Sequence, residues 1–148
     1  MDNVIWGFSP ARRQSRQVTL MQIAEVVSRR STCNRLHVGA VIAKDFRVIS
    51  TGYNGPPSGL PHCSHEEDEA DGCTASVHAE MNAILAAARH GVGVEGSALY
   101  VTHMPCLACA QAIVNSGLSE VFYDQAYRKT EGIQLMEHAG VKVGRIRT

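Results

Sequence analysis

Two short segments constrain this chain more than anything else in it: His78-Ala79-Glu80 and Pro105-Cys106-Leu107-Ala108-Cys109. Each stands at a predicted helix start. In the second, proline leads the helix and Gly117 follows it, the asymmetry expected of a helix over Pro105–Ser116. Cys106 and Cys109 are three apart in its first turn, so both thiols leave the same face. The positive end of a helix stabilises thiolates there. One imidazole and two thiolates give zinc three protein ligands and leave a fourth position for water. That is the layout of a catalytic zinc site, whereas structural sites are closed by four protein ligands. Glu80, two residues past His78, is not needed as a ligand and is placed to move a proton between that water and a substrate. Taken singly, His-x-Glu is a common chance pattern, and Cys-x-x-Cys fits a redox pair or half of a structural zinc site. The combination is specific.

The surrounding pattern is α/β. Apolar residues at helical spacing predict a helix over Val18–Arg30, with Leu20, Ile23, Ala24 and Val27 on one side. Val38–Ala43 reads as a strand, Lys44-Asp45 as a turn and Arg47–Tyr53 as the second arm of an antiparallel hairpin. Asn54–Thr74 is a long loop rich in glycine and proline with an acidic run from Glu66 to Asp71; such loops are usually functional or tied down. A strong helix is expected over Ala75–His90, stopped by Gly91, with Met81, Ile84, Leu85 and Ala88 on one side and the first three of these in the core. Strands at Ala98–Thr102, Ser119–Tyr123 and Val141–Ile146 alternate with helices at Pro105–Ser116 and Thr130–His138. Such alternation predicts a mixed sheet with helices on both faces.

Composition narrows the function. The chain has 148 residues, suited to one domain over 1–148, with 45% hydrophobic and 19% charged residues. Fourteen basic and fourteen acidic residues cancel, which argues against a nucleic-acid partner but leaves room for a small phosphorylated ligand. No apolar run reaches membrane-spanning length and Met1–Thr19 has no apolar signal segment, so no membrane partner and a cytoplasmic location are expected (the host cytoplasm for a viral protein). Five cysteines, Cys33, Cys63, Cys73, Cys106 and Cys109, point to metal ligands or free thiols over a disulfide framework.

These segments resemble the deoxycytidylate (dCMP) deaminases of the cytidine deaminase superfamily. The resemblance runs from Arg30 to about Gly144. It rests on Arg30-Ser31-Thr32-Cys33, Val38-Gly39-Ala40-Val41-Ile42, Gly52-Tyr53-Asn54-Gly55, His78-Ala79-Glu80-Met81-Asn82-Ala83-Ile84, Tyr100-Val101-Thr102 and Pro105-Cys106-x-x-Cys109. It implies a three-layer α/β/α sandwich around a five-stranded mixed sheet, and a homo-oligomer, usually a hexamer. It implies hydrolysis of dCMP to dUMP with release of ammonia, feeding thymidylate synthesis, by attack at C4 of cytosine with Glu80 protonating N3 and then the leaving amine. By matching positions, Asn54 would bond the deoxyribose, and Arg35, Tyr127 and Arg128 the 5′-phosphate; a guanidinium suits phosphate because its planar donors reach two oxygens. The bland readings are a turn residue for Asn54 and solvated surface roles for the arginines. His103 either lines the pocket or caps the end of its strand.

A second, structural zinc is also implied. Relatives use cysteines matching Cys33 and Cys63, and Cys73 with His65 would complete a closed set, with His62 also near; the alternative is free buried thiols. Many relatives are activated by dCTP and inhibited by dTTP. A triphosphate effector would bring Mg2+, and Arg89 at the end of its helix is a compatible contact, although Ala86 replaces an aromatic residue of some relatives. Three other functions compete. A tRNA adenosine deaminase shares the zinc motifs but would be expected to show a basic surface; a deaminase of a modified dCMP is a variant of the main reading; and a non-catalytic zinc interaction module would not need Glu80.

Overall fold

The computed structural model describes residues 13–62 and 75–148. Helix α1 (Arg16–Ser28) begins at Ser15, whose hydroxyl accepts the Val18 N–H at 3.2 Å. Strands β1 (Gly39–Lys44) and β2 (Arg47–Tyr53) form the hairpin. After these come α2 (Ala79–Arg89), β3 (Ala98–His103), α3 (Leu107–Asn115), β4 (Glu120–Gln125), α4 (Glu131–His138) and β5 (Lys142–Arg145). The five strands lie in the order β2-β1-β3-β4-β5, antiparallel from β2 to β3 and parallel from β3 to β5.

Period-2 alternation along β1 assigns the two faces. Val41 and Ala43 pack with Leu20, Met21 and Ala24 of α1, alongside Tyr100 and Phe122. Ala40 and Ile42 point the other way, into the cluster with Ala79, Ala83 and Ala87 of α2, Ala110 and Ile113 of α3 and Met136 of α4. The expected three layers are present, with α1 on one face of a five-stranded mixed sheet and α2, α3 and α4 on the other.

Three details depart from the sequence reading. The hairpin turn is Asp45-Phe46, both at positive φ (49° and 61°), because β1 runs on to pair Lys44 with Arg47. The left-handed turn matches strand twist, at a cost for an aromatic residue; the Arg16 guanidinium lies 5.1 Å from the Phe46 ring. Helix α2 starts at Ala79 and not at Ala75, because Val77 pairs instead with Gly55 through two backbone hydrogen bonds of 2.8 and 3.1 Å. Its buried face is also not the expected one. Ala79, Glu80, Ala83 and Ala87 are buried, Met81 and Ile84 are half-buried and Leu85 is 52% exposed.

Close approach explains that choice of face. A Cβ on Gly52 would stand 2.3 Å from the Ala79 carbonyl oxygen and 2.4 Å from the Ala83 nitrogen. The backbone of α2 therefore touches β2 directly, and only alanines fit between helix and sheet. The Ser50 hydroxyl donates to the Ala83 carbonyl at 2.6 Å across the same contact. Gly39 has the same role toward α1, where a Cβ would meet the Ala24 oxygen at 2.0 Å. Gly52→Ala should cost about 1–3 kcal/mol by overpacking, a fall in Tm of roughly 3–10 °C for a domain of this size. Gly93→Ala, with nothing within 4 Å of the added Cβ, should leave Tm within about 2 °C. Thermal unfolding of the two variants checks both; equal melting would mean that the helix can shift away from β2 freely.

Candidate active site

The antiparallel β1 places its own start beside the C-terminal ends of β2 and β3. Gly39 pairs with Tyr53, Ala40 with Val101, and His103 with Gln125 of β4. Each segment leaving that edge brings a side chain, and they surround one cavity lined by Cys33, Arg35, Asn54, Ser76, His78, Glu80, His103, Cys106 and Tyr127, among others.

His78 and Cys106 occupy the N-cap positions of α2 and α3, with extended backbones (φ −67°, ψ 154° and φ −72°, ψ 171°). Cys106 thus precedes its helix, one step earlier than the sequence suggested, while Cys109 lies in the first turn. The His78 Nδ1 atom is 3.5 Å from the Cys106 sulfur and 3.4 Å from that of Cys109. All three ligand atoms lie within 4.8 Å of one another. Donors around a tetrahedral zinc, with bonds of about 2.0–2.3 Å, stand roughly 3.6 Å apart. Donor type and spacing therefore fit that ion.

The protonation pattern supports the same reading. Hydrogen bonds from Cys109 and His78 pull the Cys106 thiol down to about 3. The Cys109 thiol is driven up, first by its hydrogen bond to Cys106 and then by burial. His78 is raised by its hydrogen bond to Cys106. Two thiols and an imidazole thus share protons that a dication would replace. Glu80, buried in the first turn of α2, is pushed up chiefly by desolvation. It feels the charges of His78 and Cys106 and lines the same cavity as both, so its carboxyl stands beside the trio able to hold a metal.

Asn54 is 8% exposed. Its Oδ1 accepts the Val38 N–H at 2.8 Å, and its Nδ2 donates to the Leu36 carbonyl at 2.8 Å. The side chain clamps the segment that carries Arg35 and retains one N–H and one lone pair for a ligand. Tyr127 faces the cavity, whereas Arg128 is exposed and does not line it. Arg89 is exposed in the last turn of α2. Of the second metal set, Cys33 is buried at the cavity, while Cys63, Cys73 and His65 lie outside the described residues. His62 Nδ1 is 2.9 Å from the Thr32 hydroxyl. Among the described residues, His78, Cys106 and Cys109 are the group able to hold a metal.

Residues 14–125 match the family described as the cytidine and deoxycytidylate deaminase zinc-binding region. The chain belongs to this family. It is 42% identical over 129 residues to ComE operon protein 2 of Bacillus subtilis, covering 85% of this chain and 68% of that protein. It is 38% identical over 144 residues to the deoxycytidylate deaminase of Saccharomyces cerevisiae, covering 91% of this chain but 46% of the yeast protein. A crystal structure of dCMP deaminase from the cyanophage S-TIM5, in complex with dCMP and dUMP, superposes with a TM-score of 0.81 at 33% identity, over 90% of this chain and 100% of that one. Among the described residues no helix is long and apolar enough to cross a membrane.

Two contributors went unread in the sequence. Asn82 donates through Nδ2 to the Tyr53 carbonyl at 2.8 Å and, more weakly, to the Val77 carbonyl at 3.4 Å, tying the end of β2 to the segment before His78; only its place in the quoted motif hinted at this. Ser76, at the cavity wall, carried no signal at all. Cys109→Ala should remove about one equivalent of zinc and abolish turnover together, since two ligands hold zinc poorly. Metal analysis beside an activity assay tests this, and an active variant with full zinc would place the metal elsewhere.

Proposed function

We propose that the protein hydrolyses dCMP to dUMP and ammonia, with His78, Cys106 and Cys109 holding zinc and Glu80 moving the protons. The observation that carries this reading is the buried Glu80 carboxyl beside that trio, in a cavity that also holds Arg35 and Tyr127. The dCMP and dUMP bound by the cyanophage relative support the choice of substrate. A zinc ion at the site lowers the pKa of water, supplying a nucleophile at neutral pH.

Glu80 takes a proton from the attacking water and delivers it to N3 of cytosine as the oxygen adds to C4. It then takes the second proton and passes it to the amino group, which leaves as ammonia while the C4 carbonyl forms. Burial raises its pKa toward the working pH, where one carboxyl serves both as base and as acid. Asn54 offers its spare N–H and lone pair to the deoxyribose. Arg35 and Tyr127 meet the 5′-phosphate from the cavity wall, and Arg128, next in the chain, closes on it from outside. Around this chemistry we place a cytoplasmic homo-oligomer, with Arg89 receiving a dCTP or dTTP effector and its Mg2+. Cys33 joins Cys63, Cys73 and His65 in a second zinc set.

Glu80→Gln keeps shape but cannot carry a proton. It should retain zinc and dCMP binding and lose at least about a hundredfold in kcat, as read by metal analysis, calorimetry and kinetics on one preparation. Near-normal turnover would assign proton transfer to another residue. The wild type should prefer dCMP to deoxycytidine in kcat/KM by at least about tenfold, because a charge-assisted phosphate contact is worth about 1.5–3 kcal/mol. Equal efficiency on the two substrates would remove the phosphate site.

A further inference from the structure

We infer that His103 is a positioning residue for Tyr127, fixing the tyrosine over the nucleotide cavity by ring stacking; the proposal rests on the reading of Tyr127 as a phosphate contact. The two rings lie with centroids 5.8 Å apart and planes 27° apart, within the range of offset-stacked pairs. Tyr127 needs such a partner. It follows the end of β4 in the connection to α4, and it is 46% exposed. Among the described residues its phenol forms no hydrogen bond, so no polar contact holds it.

His103, by contrast, is fixed at both backbone and side chain. It is the last residue of β3, in register with Gln125, and the next N–H, from Met104, donates to the Gln125 carbonyl at 2.8 Å. Its Nδ1 lies 2.9 Å from the Thr102 hydroxyl oxygen, which itself accepts the Gly39 N–H at 3.2 Å. The hydroxyl of buried Thr102 therefore bonds both the Gly39 N–H and the imidazole Nδ1, which fixes the ring's orientation. Burial pushes the ring's pKa down, against the pull of Asp124. A rigid line thus runs from the start of β1 through Thr102 and His103 to a side chain on an otherwise loosely held connection. Its effect on catalysis is to present the phenol to the phosphate already ordered, so that binding does not have to immobilise it.

A double-mutant cycle on the zinc-loaded enzyme tests this, with His103→Ala, His103→Phe, Tyr127→Ala and the His103→Ala/Tyr127→Ala pair assayed on dCMP and on deoxycytidine. His103→Ala should raise KM for dCMP about three- to tenfold, with kcat within about twofold of wild type and KM for deoxycytidine unchanged. His103→Phe, which keeps a flat ring, should recover most of the loss. In the double variant, the loss in kcat/KM for dCMP should fall short of the product of the single losses by about two- to tenfold, the range of an aromatic pair. Losses that multiply in full would overturn the proposal, as would a Phe variant no better than the Ala variant, or a fall in kcat at constant KM. If Tyr127→Ala leaves the preference for dCMP over deoxycytidine intact, the phosphate reading of Tyr127 fails, and the coupling in the cycle still decides whether His103 positions it.

Discussion

The contact between α2 and the sheet is made by backbone against backbone. Gly52 has no Cβ, and the helix presents Ala79, Ala83 and Ala87 to the strands. Side chains of this size bring the helix far closer to the sheet than leucine or isoleucine would allow, because packed interiors leave no slack to absorb extra methylenes. That closeness fixes how near α2 lies to the sheet, and the start of the helix carries His78 and Glu80. On the opposite face Gly39 lets α1 lie equally close. The two glycines sit at adjacent registers of neighbouring strands, near the edge of the sheet where the cavity opens.

The two helices that point into the site start without the usual caps. Neither His78 nor Cys106 makes a side-chain cap hydrogen bond, so each helix forgoes a contribution of about 1 kcal/mol. Extended cap conformations instead turn the imidazole and the thiol toward each other. Both lie at positive helix ends, where negative charge is favoured. A metal bound there would offset what the caps do not supply, since its binding free energy would add to that of the folded state. Local structure and chemistry are coupled here: the residues best placed to bind zinc are the ones that leave their helix ends open.

Mixed strand direction does the rest. Because β1 runs against both neighbours, one edge of the sheet collects the ends of β2, β3 and β4 together with the start of β1. Asn54, His103 and Tyr127 follow from three of those ends, and Arg35 precedes the fourth. Asn54 is a structural clamp on Leu36 and Val38, a role distinct from both the turn residue and the sugar contact read in the sequence, and it leaves the side chain at the cavity as a candidate sugar contact.

Local spacing was enough to read the four helices and the five strands and to group His78, Cys106 and Cys109, which the structure brings within 4.8 Å of one another, because residue order dictates which side chains leave one helix turn together. It also supported the family resemblance. The buried face of α2 was not legible there. The apolar period through Met81, Ile84 and Leu85 pointed one way, but the clearance left by Gly52 selects the alanine face, and clearance belongs to a partner strand and not to the helix. The start of α2 at Ala79 depends on Val77 pairing with Gly55, far from it in sequence. The stacking of His103 on Tyr127 and the placement of Arg128 outside the cavity likewise depend on how β3 and β4 pair. Sequence by itself determined which chemical groups exist and which stand at helix starts, because those are properties of neighbours along the chain. Tertiary structure alone decided which groups share a cavity, because strand pairing and helix approach set distances between residues that the chain does not hold together.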